Sequence, residues 1–296
     1  MTTSVIIPTR NRAPYLEQTI NSVLNQTVPV YEIIVVDDNS EDNTKEVVDG
    51  FNSPKIKYHN FGKINNIGKL RNKGCSIASG DKLAFCDDDD LWEINKLEVQ
   101  MGYLKDYDFV CCNANLINDK GFQIERLYNN FPGNFEIKTE DLLKSNFILT
   151  PSVTFKKKIF DSGFCFNETN YKNLCEDYYL WLKISHSYKM LYLKDDLIKV
   201  RLHQSITKSG LNQLKIWYRH IEIINEFNDS EDTILSKAAS EGIQISKIEI
   251  IKIYFKNHNY LSFLKECFSF LWELKNKHFR EIFENKLLKK LKRKTI

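Results

Sequence analysis

Short apolar runs alternate with helical patterns through the N-terminal part of the chain. The β-branched run Ser4–Ile7 predicts a buried first strand, and further strands are predicted at Glu32–Val36, Ile56–His59 and Leu83–Cys86. Between them, apolar residues recur at helical spacing and predict helices at Pro14–Gln26, from about Asn43, and at Lys69–Ser79. This strand–helix repeat predicts an α/β fold with a mostly parallel sheet, right-handed crossovers and flanking helices.

The rest of the chain is richer in helical patterns. One further strand is predicted at Phe109–Ile117, and helices are predicted at Asn95–Tyr107, Leu142–Asn146 and Glu176–Tyr188. After Gly210 the chain has only one more glycine, Gly242, and no proline, and its apolar residues keep a helical period. We therefore expect an α/β domain over residues 1–210 and a C-terminal helical region over residues 211–296.

Polar clusters fall at the ends of three predicted strands. Thr9-Arg10-Asn11, Asp37-Asp38 and Asp87–Asp90 each follow a strand directly. In an open α/β sheet the carboxyl ends of parallel strands form the edge at which ligands bind. The three clusters are therefore expected at one common binding edge.

The run of four aspartates, Asp87–Asp90, indicates a cation site. Neighbouring carboxylates in a partly buried setting repel one another by several kcal/mol, on the order of ~4 kcal/mol at 4 Å. On an extended segment residues i and i+2 point the same way, so Asp87 and Asp89 can share Mg²⁺ or Mn²⁺. The alternative is a solvated acidic loop or helix N-terminus. An EF-hand is excluded because Trp92 stands where that loop needs glycine.

Composition and charge exclude several other classes. Hydrophobic residues make up 42% and charged residues 27% of the 296 residues, which suits a soluble globular protein. The last eleven residues carry six basic side chains, and removing these from the total of +3 leaves the rest of the chain at −3. That balance argues against a nucleic-acid partner. The seven cysteines lack CxxC spacing, and neither a signal peptide nor a membrane span is evident, so we expect a cytoplasmic protein.

The ordered motifs resemble those of the family 2 glycosyltransferases, which have the Rossmann-like GT-A fold. The resemblance extends over about the first 200 residues and rests on these segments: Ser4–Arg12 (SVIIPTRNR), Val23–Thr27 (VLNQT), Glu32–Ser40 (EIIVVDDNS), Leu70–Asn72 (LRN), Ala78–Asp81 (ASGD), Phe85–Trp92 (FCDDDDLW) with Lys96, Leu97 and Gln100, Cys175–Trp181 (CEDYYLW) and Arg201–His203 (RLH).

The resemblance implies an inverting, metal-dependent enzyme that transfers a sugar from a nucleotide diphosphate, most readily a UDP-sugar. Thr9 and Asp38 would contact the base, and Asp37 would hold the adjacent loop. The residues that it assigns to nucleotide-sugar binding are Pro8, Thr9, Arg10, Arg12, Asp37, Asp38, Arg71, Asp87, Asp88 and Arg201. The metal, Mn²⁺ or Mg²⁺, would be held by Asp89, Asp87 and His203.

The resemblance also implies a catalytic base. An acceptor hydroxyl is a weak nucleophile at neutral pH, so a carboxylate must take its proton. Asp177 matches the family's base, and Glu176 is the neighbouring competitor. The alternative is that both acids only begin the helix that follows, where negative charge suits the positive end of the helix dipole.

The sequence does not decide whether two tryptophans and one histidine bind the substrate or only stabilise the fold. Trp92 and Trp181 could form a sugar platform, although an aromatic side chain on a helix more often packs in a core, as we expect for Trp181. His203 is equally compatible with a structural role. Thr150-Pro151-Ser152 could line the acceptor site or form a plain turn.

The acceptor is expected to be a glycan or a lipid-linked intermediate of bacterial surface polysaccharide. Lys286–Lys294 places leucines on one stripe of a basic segment, which suits either peripheral contact with an anionic membrane or a solvated tail. Two rival functions are a nucleotidyltransferase, which should have a glycine-rich loop where Pro8–Arg12 stands, and a non-catalytic nucleotide-sugar-binding protein, which would not need Glu176 and Asp177.

Overall fold

The structure, a computed structural model, describes residues 2–169, 174–202, 210–228 and 232–257, with further positions between 259 and 269. The chain divides into two compact units, residues 1–204 and 205–296. The boundary proposed from the sequence at residue 210 lies a few residues further along. The division into an α/β domain over residues 1–210 and a helical region over residues 211–296 remains a prediction.

The described part of the first unit contains strands and helices in alternation. The strands are β1 Thr3–Thr9, β2 Glu32–Asp37, β3 Ile56–Asn60, β4 Lys82–Phe85, β5 Leu91–Trp92, β6 Phe109–Ile117, β7 Gln123–Arg126, β8 Phe135–Ile137, β9 Thr154–Lys156 and β10 Met190–Arg201. The helices are α1 Ala13–Leu24, α2 Thr44–Gly50, α3 Ile67–Ile77, α4 Lys96–Tyr103, α5 Thr139–Lys144, α6 Lys158–Asp161 and α7 Glu176–Ser187, with a 3₁₀ turn at Thr150–Ser152.

These strands form one mixed sheet in the order β3-β2-β1-β4-β9-β6-β10-β5, with β7 beside β6 and β8 beside β10. The N-terminal four, β3-β2-β1-β4, are parallel, as the strand–helix repeat predicts. β9 lies antiparallel between β4 and β6 and joins this parallel half to the parallel pair β6 and β10. The α/β sheet with flanking helices is the GT-A arrangement expected from the sequence, with more antiparallel strands than the repeat alone predicts.

The five strands predicted from the sequence are all present, whereas β5, β7, β8, β9 and β10 are not predicted. The longest of these is β10, at Met190–Arg201. Its apolar pattern is interrupted by Lys194-Asp195-Asp196. The pairing of β10 with β6 shifts register at this interruption, between Leu193 and Ile198. A β-bulge of this kind breaks the period of two on which strand prediction depends.

Helices cover both faces of the sheet. On one face, Leu16 of α1 and Leu97 of α4 pack with Val5, Ile7 and other aliphatic residues of the sheet. On the other face α3 approaches β1 so closely that a Cβ on Gly74 would lie 2.5 Å from Ile6 Cγ2. α7 packs on this second face through Trp181, whose ring lies 5.1 Å from that of Phe109. Trp181 is fully buried, which confirms the core role expected for it.

The described part of the second unit consists mainly of two helices, α8 Gly210–Asn228 and α9 Thr233–Lys256. Leu214 packs with Ile250 and Ile253 in a small apolar core. Asp232 caps α9 by accepting hydrogen bonds from the backbone N–H groups of Ile234 and Leu235. No helix among the described residues has the length and apolar character needed to cross a membrane. The basic segment Lys286–Lys294 lies outside the described residues.

Gly80, in the bend before β4, lies so close to Ser4 of β1 that a side chain there would clash. Its N–H donates to Ser4 Oγ at 2.9 Å, and a Cβ on this residue would lie 2.8 Å from the Ser4 backbone nitrogen. Since backbone atoms cannot move aside cheaply, Gly80→Ala should lower the free energy of unfolding by about 1–3 kcal/mol. Urea denaturation measures this change.

Gly102→Ala is the matched control. Gly102 lies exposed on α4, and a Cβ there would meet nothing within 4 Å. The substitution should leave stability unchanged or raise it by up to about 1 kcal/mol, because alanine favours the helix. Equal unfolding midpoints for the two variants would contradict the tight approach at Gly80.

Candidate active site

The polar residues at the ends of β1, β2 and β4 meet at one edge of the sheet, which we call the rim. Thr9 and Asp37 are opposite one another in the parallel pairing of β1 and β2. The Asp38 N–H donates to Thr9 O at 2.9 Å, and the Cys86 N–H donates to Ile6 O at 3.1 Å. The topology thus brings the three polar clusters of the sequence together.

Asp37 and Asp38 both organise loops at the rim. Asp37 accepts hydrogen bonds from the Ser40 hydroxyl at 2.6 Å and the Tyr58 hydroxyl at 2.5 Å. Asp38 accepts from the backbone N–H groups of Ile64 and Asn65. Asp37 therefore occupies the loop-holding position that the resemblance implies. The contact of Asp38 with the nucleotide base stays a prediction. The carboxylate still has lone pairs that could accept a hydrogen bond from that base.

Two arginines follow β1 and face the acidic residues of the rim. Pro8 and Thr9 are buried within β1, whereas the side chains of Arg10 and Arg12 are partly exposed. Arg10 Nη1 lies 3.7 Å from Asp38 Oδ2, and Arg12 Nη2 lies 3.8 Å from Asp89 Oδ2. This end of the rim thus presents positive charge where a diphosphate is expected.

The acidic loop Asp87–Asp90 turns tightly, with the Asp90 N–H donating to Asp87 O at 3.2 Å. Asp90 is buried, and its Oδ1 accepts the backbone N–H of Arg201 at 2.9 Å. The other three aspartates are partly exposed. Burial and the charge of Asp89 raise the pKa of Asp88 to about 7. The carboxylates of the loop therefore repel one another, and Asp88 holds a proton more readily than an isolated aspartate does.

The carboxylate oxygens of Asp87 and Asp89 are suitable ligands for a hard divalent cation. Asp87 and Asp89 are partly exposed carboxylates two residues apart on one turn. Mg²⁺ in nucleotide sites is commonly held by one or two carboxylates together with phosphate oxygens and water. Within the described residues no group of three or more metal-binding side chains is assembled. His203, the third ligand implied by the resemblance, lies outside the described residues.

Arg71 connects the acidic loop to the start of α7. Its Nη2 donates to Asp87 Oδ1 at 2.9 Å, and its Nη1 donates to Glu176 Oε1 at 3.1 Å. Arg71 and Glu176 are both buried. Burial and the charge of Asp177 raise the pKa of Glu176 to about 7, against the opposing effect of Arg71. The structure thus places Arg71 between two acidic segments. Its nearness to the nucleotide base or phosphate, which the resemblance implies, stays a prediction.

Asp177 lies beside this bridge and is partly exposed. The turn into α7 passes through Cys175, whose φ of 66° is in the left-handed region, and delivers both acids to the first helical turn. Asp177 Oδ2 accepts the Thr150 hydroxyl at 3.0 Å, and its Oδ1 accepts the Tyr178 N–H at 2.7 Å. Burial raises the pKa of Asp177 above its ordinary value.

Arg201 supports the acidic loop. Its guanidinium donates to the backbone oxygens of Asp89 at 3.0 Å and Asp119 at 2.8 Å, and to Gln18 Oε1 at 3.1 Å. The residue is buried. A phosphate contact, as the resemblance implies, would require these bonds to be exchanged and stays a prediction.

Trp92, which the sequence left undecided, is part of the core. It is 4% exposed, and its Nε1 donates to Pro151 O at 3.2 Å. The Lys96 ammonium lies 3.9 Å from the centre of its ring. A sugar platform needs an exposed ring face, so the platform interpretation of Trp92 is not supported.

The contact of Thr150 with Asp177 is not predicted by the sequence. The sequence is compatible with either an acceptor wall or a plain turn at Thr150–Ser152, and the structure shows a hydrogen bond from Thr150 to Asp177. The two residues are distant in the chain, and no local motif links them. Only packing of the turn against α7 reveals the pair.

Comparison with known proteins defines the class. Residues 4–164 match the family Glycosyl transferase family 2. The fold resembles that of TarS from S. aureus in complex with UDP, with a TM-score of 0.65 and 22% identity, covering 82% of this chain and 71% of that one. A mannosyltransferase from Pyrobaculum calidifontis, in complex with GDP-Man and Mn²⁺, has a TM-score of 0.60 and 14% identity, covering 94% and 82% of the two chains.

Two curated relatives are similar over most of their length. One is the E. coli UDP-Glc:alpha-D-GlcNAc-diphosphoundecaprenol beta-1,3-glucosyltransferase, 30% identical over 237 residues, covering 76% of this chain and 85% of that one. The other is the Campylobacter jejuni GalNAc(5)-diNAcBac-PP-undecaprenol beta-1,3-glucosyltransferase, 30% identical over 250 residues, covering 80% and 79%. The fold and site define a glycosyltransferase of the GT-A type. The chain belongs to glycosyltransferase family 2.

The buried bridge at Arg71 generates a stability prediction. Arg71→Met keeps an apolar stem but leaves Glu176 buried without its cationic partner. Breaking one side of a buried ion pair costs about 3–5 kcal/mol, so urea denaturation at pH 8, where Glu176 is mostly ionised, should show a loss of that size.

Lys69→Met, on the same helix, is the control. Lys69 forms a 3.8 Å ion pair with Glu168 in which both side chains are exposed. Such pairs contribute about 0–1 kcal/mol. If Arg71→Met were as stable as Lys69→Met, the bridge would not hold α7 to the acidic loop.

Proposed function

We propose that this protein is an inverting, metal-dependent glycosyltransferase that moves a sugar from a UDP-sugar to a hydroxyl of a lipid-linked glycan. The observation that carries the proposal is the position of Arg71 between two acidic segments. Arg71 contacts Asp87, in the loop proposed to bind the sugar donor, and Glu176, the neighbour of the proposed catalytic base. A protein that only binds nucleotide sugars has no need of the second segment.

The donor half of the proposal is supported by the rim. Thr9 and Asp38 lie together at the ends of β1 and β2, where the nucleotide base is proposed to bind. The Arg10 guanidinium lies beside Asp38, and the Arg12 guanidinium lies beside Asp89 of the acidic loop. The E. coli relative is named as a UDP-glucose enzyme. UDP-glucose is therefore the first donor to test.

The acceptor half is supported by the relatives. The names of both the E. coli and the C. jejuni protein contain an undecaprenyl diphosphate acceptor. We propose the same acceptor class here, within bacterial surface-polysaccharide synthesis on the cytoplasmic side of the membrane. Contact of the basic segment Lys286–Lys294 with anionic lipid would bring the enzyme to such an acceptor.

Asp177 is proposed as the base. It accepts the proton of the acceptor hydroxyl while the oxygen attacks the anomeric carbon, and the bond from that carbon to the diphosphate breaks on the opposite face. The anomeric configuration inverts, and UDP leaves with the bonding electrons. Glu176 is less suited because it is buried and engaged by Arg71, whereas Asp177 is partly exposed.

Charge on the leaving diphosphate must be stabilised as it develops. Arg12, partly exposed beside Asp89, is positioned to supply positive charge on the protein side. A divalent cation bound by Asp87 and Asp89 would supply the remaining charge neutralisation. The P. calidifontis structure with GDP-Man and Mn²⁺ supports this proposal for the fold.

Transfer from a labelled UDP-sugar tests the function and its metal requirement together. We expect the full chain with Mn²⁺ to transfer glucose from UDP-glucose to undecaprenyl-diphosphate-linked GlcNAc, and EDTA to abolish the transfer. Asp89→Asn, which removes charge without changing shape, should also abolish it. Undiminished transfer in EDTA would refute the metal requirement, and transfer only from GDP-mannose would refute the UDP donor.

The base assignment is tested by amide substitutions at two neighbouring residues. Asp177→Asn cannot accept a proton at pH 7, so kcat should fall about 10²–10⁴-fold, with the donor Kd within a few-fold of wild type. Glu176→Gln should cost much less. Isothermal calorimetry with UDP separates donor binding from chemistry. An active Asp177→Asn variant together with an inactive Glu176→Gln variant would assign the base to Glu176.

A further inference from the structure

Both carboxylate oxygens of Asp177 are held by hydrogen bonds. Oδ1 accepts the N–H of Tyr178, the next residue of α7. Oδ2 accepts the hydroxyl of Thr150 at 3.0 Å, and Thr150 is 4% exposed. The first bond is local to the helix, whereas the second comes from the 3₁₀ turn that precedes β9. The orientation of the carboxylate therefore depends on a separate element of the fold.

The turn that carries Thr150 is itself firmly anchored. Pro151 O accepts the Trp92 indole N–H at 3.2 Å, and Ser152 O accepts the Gln100 side-chain amide at 2.8 Å. The Ser152 hydroxyl donates to Leu149 O at 2.7 Å within the turn. Anchors on β5 and α4 thus fix the position from which Thr150 reaches Asp177.

We propose that Thr150 is a positioning residue for Asp177, and that Trp92, through its hydrogen bond to Pro151, anchors the turn that carries Thr150. The proposal rests on the role of Asp177 as the base. A carboxylate held at one oxygen by a hydroxyl cannot rotate freely, and its remaining lone pairs keep one direction toward the acceptor. Restricting a catalytic group to its reactive orientation lowers the barrier without a direct contact to substrate.

The hydroxyl also favours the ionised form, which a base must have. The charged groups around Asp177 are Arg71 from α3, Glu176 from α7 and Asp87 from the acidic loop. Burial raises the pKa of Asp177, and Arg71, the Tyr178 N–H and the Thr150 hydroxyl oppose that rise. Removing the hydroxyl should therefore move the pKa of Asp177 upward, away from the ionised state.

Thr150→Val tests the proposal because valine has nearly the same shape and no hydroxyl. In the ligand-free full chain, the carboxyl pKa of Asp177 should rise by about one unit, as measured by NMR titration of ¹³C-labelled aspartate with Asp177→Asn as the assignment reference. In the transfer assay kcat should fall about tenfold, and the acid limb of its pH profile should move up by about one pH unit. Donor KM should stay within about twofold, and Thr150→Ser should restore all three quantities.

Thr139→Val is the matched control. Thr139 is also a buried threonine, and its hydroxyl accepts from Ser185 near the far end of α7. This variant should leave kcat and the Asp177 titration unchanged, even if it loses similar stability. Trp92→Phe keeps a ring but removes the N–H to Pro151, and should shift kcat and the acid limb in the same direction as Thr150→Val by a smaller amount.

A double variant separates this proposal from the proposed function. If Thr150 acts through Asp177, Thr150→Val should have no further effect on kcat in the Asp177→Asn background. An unshifted Asp177 pKa, or equal and additive losses in both backgrounds, would overturn the positioning role while leaving Asp177 as the base. Full activity of Asp177→Asn would instead overturn the base assignment, and the role of Thr150 with it.

Discussion

The site depends on one buried guanidinium placed between acidic groups from two distant parts of the chain. Without Arg71, the acidic loop after β4 and the first turn of α7 would bring Asp87, Glu176 and Asp177 together with no balancing charge. Burial alone lowers the pKa of Arg71, yet these neighbouring carboxylates raise it above its ordinary value. The cation therefore stays charged inside the protein, and it links the acidic loop to the helix turn that carries Asp177, the proposed base.

Two other acidic residues of the rim also lie beside arginines. Arg10 and Arg12 approach Asp38 and Asp89 from the end of β1, and both remain partly exposed. The phosphate contacts proposed for them would cost little desolvation, because their charges are not fully removed from water. Arg71 and Arg201, which are buried, instead serve as fixed supports. Burial thus divides the arginines of the site into two groups that residue type alone does not distinguish.

The parallel half of the fold was predictable because its signals are local. Each of β1, β2 and β4 is a short apolar run followed by polar residues, and the parallel order of the strands brings those residues to one edge. β10 was missed because a bulge at Asp195-Asp196 interrupts its pattern. Trp92 could not be assigned because its residue type does not determine its exposure. The contact of Thr150 with Asp177 arises from packing between segments far apart in the chain, and no sequence spacing encodes such a contact.

The antiparallel strand β9 has a consequence for how the protein is made. β4 pairs with β1 on one side, and on the other side it pairs residue 84 with residue 154. A ribosome releases the chain from its N-terminus, so the four parallel strands emerge well before β9 is available. During that interval β4 is an open, apolar sheet edge able to pair with another chain. Until β9 has been synthesised and pairs with β4, that edge of the nascent sheet is open to aggregation.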